Sequence, residues 1–152
     1  VCSSDLADNL VMAVLDRISG SNGLISGAKK SALVRKWVND LAIKIGKPTD
    51  AVATLSGGNQ QRVVLAKWLA TEPKVLILDS PTVGVDVGAR AGIYKIIRQL
   101  AEEGLAILLI SDEVSEVHFN ADRILHMAGG KIISEMDPRS TTLQQLEEAV
   151  YA

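Results

Sequence analysis

A serine followed by two glycines stands at the start of a predicted helix. Ser56, Gly57 and Gly58 precede a helix that we expect from about Asn59 to Ala70. The first N–H groups of a helix lack intrahelical partners, and the helix dipole adds partial positive charge, so this end is suited to hold a phosphate. The glycines would let the backbone come close to it. Taken alone, the three residues favour an ordinary loop and helix cap over a phosphate site.

A second candidate is an acidic residue that follows a run of aliphatic ones. The run starts at Val75, and Asp79 ends it, which places a carboxylate at the carboxyl end of a predicted strand. Ligands of open α/β sheets bind at this edge. An aspartate there can hold Mg²⁺ in phosphoryl-transfer sites. A structural role, capping the following turn, explains Asp79 equally well in isolation.

The elements around these residues predict an α/β fold. The aliphatic run at 75–78 and a second at 106–110 show no polar alternation, which is typical of a parallel sheet covered on both faces. A helix is expected between them, from about Ala89 to Glu103, with Gly104 as its cap.

Helices are predicted before this sheet, and a hairpin and a helix after it. One apolar stripe at helical spacing begins at Val34, and Gly46 to Pro48 should end its helix. Near the carboxyl terminus, Gly129 and Gly130 separate two short apolar runs and predict a hairpin. Thr142 and Gln145 have the spacing of a capping box at the start of a last helix.

Composition excludes several classes of protein. The 152 residues include 16 Lys and Arg against 18 Asp and Glu, a formal net charge of −2, which argues against a bare nucleic-acid binder. Aromatic residues make up only 3%, so platforms for base stacking are not expected. The single cysteine, Cys2, cannot form an internal disulfide. No apolar run approaches the roughly 20 residues of a membrane helix.

The motifs taken together resemble one family. The order LSGGNQQ (residues 55–61), VLILD (75–79) and SPTVGVD (80–86) is similar to that of the ATP-binding cassette (ABC) ATPases. The three segments resemble the family's signature motif, its Walker B strand and its D-loop. The form LSGGNQQRVVLAKWLA most resembles the second cassette of tandem ATPases that import monosaccharides such as ribose, galactose or xylose.

The family's P-loop is missing from these residues. No Gly-x₄-Gly-Lys-Ser/Thr pattern occurs, and Gly27 to Ser31 has no glycine directly before either lysine. We therefore expect the chain to be the C-terminal part of a longer protein, a P-loop NTPase-like ABC cassette fragment. We predict a helical lobe over 1–70, ending in the signature motif and its helix, and the C-terminal part of the ATPase core over 71–152.

The resemblance also implies how the chain would bind ATP with Mg²⁺. Two cassettes of this family stack head to tail, so the signature motif of one touches the γ-phosphate of ATP bound to the other. The residues that the resemblance places at nucleotide are Ser56, Gly57, Gly58, Gln60 and Asp86. The metal residue would be Asp79, which serves the opposite site, so the chain would carry halves of two sites.

Two departures from the family pattern bear on hydrolysis. Ser80 stands where the family usually has a glutamate that polarises water, and a hydroxyl is too weak a base to replace it. Asp112 stands where the family usually has a switch histidine, and an acid there repels a γ-phosphate. We expect a degenerate, slow site, with compensation by Glu113 or a sequence error as the alternatives.

The resemblance implies an ATPase subunit that energises sugar import. Its partners would be a second cassette, transmembrane permease subunits and, indirectly, a periplasmic sugar-binding protein, with no nucleic acid. It would lie at the cytoplasmic face of the membrane as a peripheral subunit, and these residues alone would be inactive. The alternatives are a non-hydrolytic regulatory cassette and a non-transport ABC ATPase.

Overall fold

A computed structural model describes residues 5–151 of the chain. The described residues form two compact units, and each unit is built from two separate stretches of the chain. The first unit runs up to Lys74 and resumes from Thr82 to Leu105. The second contains Val75–Pro81 and everything after Leu105. No helix within residues 5–151 is both long and apolar enough to cross a bilayer.

The first unit is helical. It contains α1 (Leu6–Val11), α2 (Leu15–Ile18), α3 (Gly27–Asp40), a 3₁₀ turn (Val52–Thr54), α4 (Gly57–Leu69) and α5 (Val87–Glu102). Helix α1 packs against both α3 and α4, and α4 also contacts α5. The largest fully buried side chains of this unit are Leu6, Leu10, Leu65 and Ile93. The helix predicted from Ala89 is confirmed, and Gly104 ends it at a φ of 97°.

Helix α3 is shorter than its apolar stripe predicts. It ends at Asp40, several residues before Gly46, because Ala42 has a left-handed backbone with φ 48°. The Ala42 N–H bonds the Asn39 carbonyl, and the Ile43 N–H bonds the Val38 carbonyl. The chain turns at this point, and Ile43 is buried outside the helix. The predicted end of the helix was therefore wrong.

The second unit contains both pairs of strands. Strands β1 (Val75–Asp79) and β2 (Ala106–Ile110) pair in parallel, as predicted. Helix α6 (Val114–Asn120), strands β3 (Ile124–Ala128) and β4 (Lys131–Met136), and helix α7 (Leu143–Tyr151) follow. Their core is Val114, Ile124 and Leu146.

Both predictions at the carboxyl end are confirmed. Strands β3 and β4 form an antiparallel hairpin whose turn carries Gly129 and Gly130 at positive φ. Helix α7 begins with a reciprocal cap, in which the Thr142 N–H donates to Gln145 Oε1 and the Gln145 N–H donates to Thr142 Oγ1.

One face of the parallel sheet is exposed among residues 5–151. Leu76 and Leu78 are buried, but Val75 and Ile77 on the other face are 60% and 63% exposed. In the strand register Ile77 pairs with Leu108, which is also exposed. The prediction of a sheet covered on both faces was wrong for the described residues, because Val75, Ile77 and Leu108 stay exposed there.

Candidate functional site

The Ser-Gly-Gly turn (residues 56–58) begins α4 as predicted. Ser56 is the N-cap residue, with φ −60° and ψ 154°, and its carbonyl accepts from the Gln60 N–H. Its side chain makes no capping bond to the helix and is exposed. Because the side chain does not occupy the first N–H groups of α4, this turn keeps the features that suit a helix start to an anion.

Both glycines of the turn are also required by the packing of the unit itself. A Cβ on Gly57 would lie 2.9 Å from the Gly84 carbonyl oxygen, and one on Gly58 would lie 2.7 Å from the Ala89 Cβ. Gly84 has a φ of 75° in a turn closed by the Val85 N–H and the Thr82 carbonyl. The signature-like turn therefore lies directly against the D-loop-like segment 82–86, so the glycines have a structural reason besides any ligand.

Gln60 and Asp86 lie in the same unit and have structural partners there. The Gln60 side chain turns back and donates from Nε2 to the Leu55 carbonyl at 2.8 Å. Asp86 caps α5, because its Oδ1 accepts from the Ala89 N–H at 3.0 Å. These contacts fix both side chains beside the turn, and their roles toward a nucleotide stay predictions.

Two polar side chains of α4 make hydrogen bonds that were not predicted from the sequence. Asn59 Oδ1 accepts from the Lys44 N–H, and its Nδ2 donates to Ser56 Oγ. Arg62 Nη1 donates to the carbonyls of Leu41 and Ala42, which directly follow α3. The signal for Asn59 was available, since an amide three residues after an N-cap serine lies on the same side of the helix. Nothing in the sequence marked the partners of Arg62.

The second unit brings Asp79 and Ser80 to the carboxyl edge of its sheet. Asp79 is the last residue of β1 and pairs with Ile110, the last residue of β2. Ser80 Oγ lies 3.2 Å from Asp79 Oδ1 and donates to it. The Ser80 N–H donates to the Ile110 carbonyl, and Ser80 has a left-handed φ of 48°. A non-glycine residue in that conformation is strained, which is common at functional sites.

Asp112 follows β2 at the same edge. It is exposed and lies two residues beyond Ile110. The neighbouring Ser111 Oγ accepts from the Glu113 N–H and donates to Glu116 Oε2, which fixes the start of α6. The strand ends therefore place Asp79, Ser80 and Asp112 along one edge, as expected for parallel strands.

The metal chemistry available at this edge is limited. Within the described part of the chain, no group of three His, Cys, Asp or Glu side chains could hold a metal ion. Mg²⁺ commonly binds through one or two carboxylates together with substrate phosphates and waters. The exposed Asp79 fits that role and does not fit a cage made by protein alone.

Comparison with known sequences gives one family. Residues 4–83 match the family described as ABC transporter. A xylose import ATP-binding protein of Pectobacterium atrosepticum is 40% identical over 95% of this chain. A ribose import ATP-binding protein of Streptomyces coelicolor is 44% identical over 96% of it. The chain spans 28% and 30% of the length of these two relatives.

Solved structures agree on the fold. A dimeric ATP-binding cassette in a post-hydrolysis state, bound to ADP and phosphate, superposes with a TM-score of 0.75 at 21% identity. It is matched over 92% of this chain and 59% of its own. A component of an ABC transporter complex from Clostridium perfringens gives a TM-score of 0.73 at 24% identity, over 99% of this chain and 56% of its own.

Proposed function

This chain belongs to the ABC transporter family, and from that premise we propose that it is part of an ATP-binding subunit that drives the import of a sugar. The observation that carries the proposal is the Ser-Gly-Gly turn. Its N-cap hydroxyl is exposed and does not cap α4, and two glycines hold the turn against segment 82–86. The turn therefore offers a hydroxyl and a helix start to one phosphate group.

The ATP that this turn contacts is bound by another cassette. The 152 residues contain no P-loop, so the phosphates must be wrapped by residues outside them. The exposed apolar face of β1 and β2 supports a longer cassette, because parallel sheets are normally covered on both faces. In this proposal residues 1–70 are the helical lobe, and residues 71–152 are the C-terminal part of the ATPase core.

The opposite half-site lies at the sheet edge of the second unit. Asp79 would hold Mg²⁺, and the ion would supply positive charge against the phosphates. Ser80 cannot act as the base for water, and Asp112 disfavours a nearby γ-phosphate, so this half-site is slow. The residue types at positions 80 and 112 favour a second candidate function, a regulatory cassette that binds nucleotide and hydrolyses little of it. The two functions coexist if the other site of the pair is active.

The partners and the substrate follow from the relatives. The two relatives are import ATP-binding proteins for xylose and for ribose, so we propose a monosaccharide as the cargo. Import requires a membrane permease, on which the cassettes act from the cytoplasmic face, and an outer sugar-binding protein that delivers the cargo. A non-transport ABC ATPase is the competing assignment. An ATPase rate that does not change when the sugar-loaded binding protein is added would favour it.

The test is a Ser56→Ala substitution in the full-length protein with its permease. Loss of a hydrogen bond to a charged phosphate should raise the ATP KM, or lower kcat/KM, by roughly tenfold or more. Ser21→Ala, at an exposed serine in the loop before α3, is the matched control and should leave both constants unchanged. Kinetics of Ser56→Ala equal to those of the control would contradict the proposed phosphate contact.

A further inference from the structure

Asn59 links the Ser-Gly-Gly turn to the chain segment that follows α3. Its Oδ1 accepts from the Lys44 backbone N–H at 2.9 Å, and its Nδ2 donates to Ser56 Oγ at 3.0 Å. Asn59 is half-buried, whereas Ser56 is exposed. One amide side chain thus connects a fixed backbone donor with the hydroxyl of the turn.

The backbone donor determines which way the amide faces. A backbone N–H can only donate, so the atom facing Lys44 must be the amide oxygen. The nitrogen then faces Ser56 and has to donate, because it carries two hydrogens and accepts none. Ser56 Oγ is consequently the acceptor in this bond, and its own hydrogen must point in another direction.

The Ser56 hydroxyl makes no N-cap hydrogen bond to its own helix. Ser26 at α3 and Asp86 at α5 accept from N–H groups of their own helices, as N-cap side chains usually do. Ser56 at α4 makes no such bond. Among residues 5–151 its side chain has the one hydrogen bond received from Asn59. The hydroxyl hydrogen is therefore available to an acceptor outside the unit.

We propose that Asn59 is a positioning residue that presets the Ser56 hydroxyl as a hydrogen-bond donor to a phosphate oxygen of ATP. The inference rests on the proposed function, which places Ser56 at the phosphate. The relay runs from the Lys44 N–H through the Asn59 amide to the Ser56 hydroxyl. It orients the hydroxyl before ATP arrives, so that less rotational freedom is lost on binding.

Asn59→Asp tests the relay with almost no change in shape. The carboxylate still accepts from the Lys44 N–H, but its second oxygen cannot donate to Ser56. The serine must then donate to the carboxylate, which turns its hydrogen away from ATP. In the full-length protein with its permease, we expect the ATP KM to rise about tenfold. Asn22→Asp makes the same substitution in the exposed loop before α3, where the carboxylate can still accept from the Leu24 N–H, and we expect less than a twofold change from it.

A double-mutant cycle separates this inference from the proposed function. If Asn59 acts through Ser56, Asn59→Asp should have a much smaller effect in a Ser56→Ala background than in the unmodified protein. Equal effects in both backgrounds would overturn the relay while leaving the phosphate contact intact. A Ser56→Ala variant with unchanged ATP kinetics would instead overturn the proposed function on which the relay rests.

A measurement that does not depend on activity completes the test. In ¹⁵N-edited NMR spectra of the full-length protein, the Asn59 side-chain amide protons should be resolved and protected from solvent exchange. Ser56→Ala should shift one of these two protons and leave the Lys44 backbone N–H signal in place. Unshifted Asn59 protons in that variant would show that the amide does not bond the hydroxyl, and would overturn the inference.

Discussion

Gly57 lies so close to Gly84 that a Cβ on Gly57 would be 2.9 Å from the Gly84 carbonyl oxygen. The contact joins the first residue of α4 to the turn that leads into α5. A substitution at Gly57 therefore acts on the fold of the unit before it acts on any ligand. From the sequence alone, this glycine was explained by an ordinary loop and helix cap or by a ligand, and its packing against Gly84 was not predicted.

Gly57→Ala should lower the free energy of unfolding by about 1–3 kcal/mol, because a methyl group would press on backbone that cannot move away cheaply. Urea unfolding measures this change in the free energy of unfolding. Gly27→Ala is a matched control, since Gly27 also follows a serine N-cap as the first residue of its helix and has open space around it. If both variants have the same stability, the close packing against Gly84 is not as described.

Arg62→Ala should destabilise the junction of α3, α4 and α5. The guanidinium bonds two carbonyls at the end of α3, and a Cβ on Gly92 of α5 would lie 2.7 Å from its Nη2. Losing these bonds to a charged donor should cost about 1–3 kcal/mol in chemical unfolding. Arg35→Ala, at an exposed arginine of α3, should stay within about 0.5 kcal/mol. A similar small change for Arg62→Ala would rule out its bridging role.

The two faces of β1 should respond differently to substitution. Ile77→Ser on the exposed face should change the stability of this chain by less than about 0.5 kcal/mol, but should destabilise the full-length protein if other residues cover that face. Leu78→Ala on the buried face should cost about 2–5 kcal/mol in both. Equal tolerance of Ile77→Ser in both proteins would mean that the face stays uncovered.

Ser80→Glu should raise the ATPase rate of the full-length protein by roughly tenfold or more, since a carboxylate can orient and deprotonate water and a hydroxyl cannot. Ser80→Gln, which has the same size without the charge, is the control and should not raise it. Both variants keep the strained left-handed backbone, so their unfolding midpoints should be similar. An unchanged rate in Ser80→Glu would place the defect elsewhere.

Local patterns predicted the elements that local chemistry determines. The hairpin at Gly129 and Gly130, the capping box at Thr142 and the parallel pairing of β1 with β2 are all confirmed. Each depends on turn glycines, on capping spacing or on aliphatic runs, which are visible in a short window of sequence.

The features that the sequence patterns did not predict depend on tertiary contacts. Helix α3 ends at Asp40 because Ala42 turns left-handed and Arg62 bonds the freed carbonyls, and alanine gives no signal of that. The exposed face of β1 depends on what else covers the sheet, which its own residues do not encode. In the candidate site, Ser56 and its glycines could be named from the motif, and the spacing of Ser56 and Asn59 could have indicated their contact. The bond from the Lys44 N–H to Asn59 depends on the tertiary fold and had no local signal.

The central claim is that the Ser-Gly-Gly turn contacts the γ-phosphate of ATP, and light-induced cleavage by trapped orthovanadate tests it most directly. Vanadate bound with ADP takes the place of the γ-phosphate, and ultraviolet light cuts the backbone that it touches. In the full-length protein we predict an ATP-dependent cut within residues 56–58, lost in a P-loop variant that cannot trap vanadate. Cleavage confined to other segments, with residues 55–58 intact, would contradict the account.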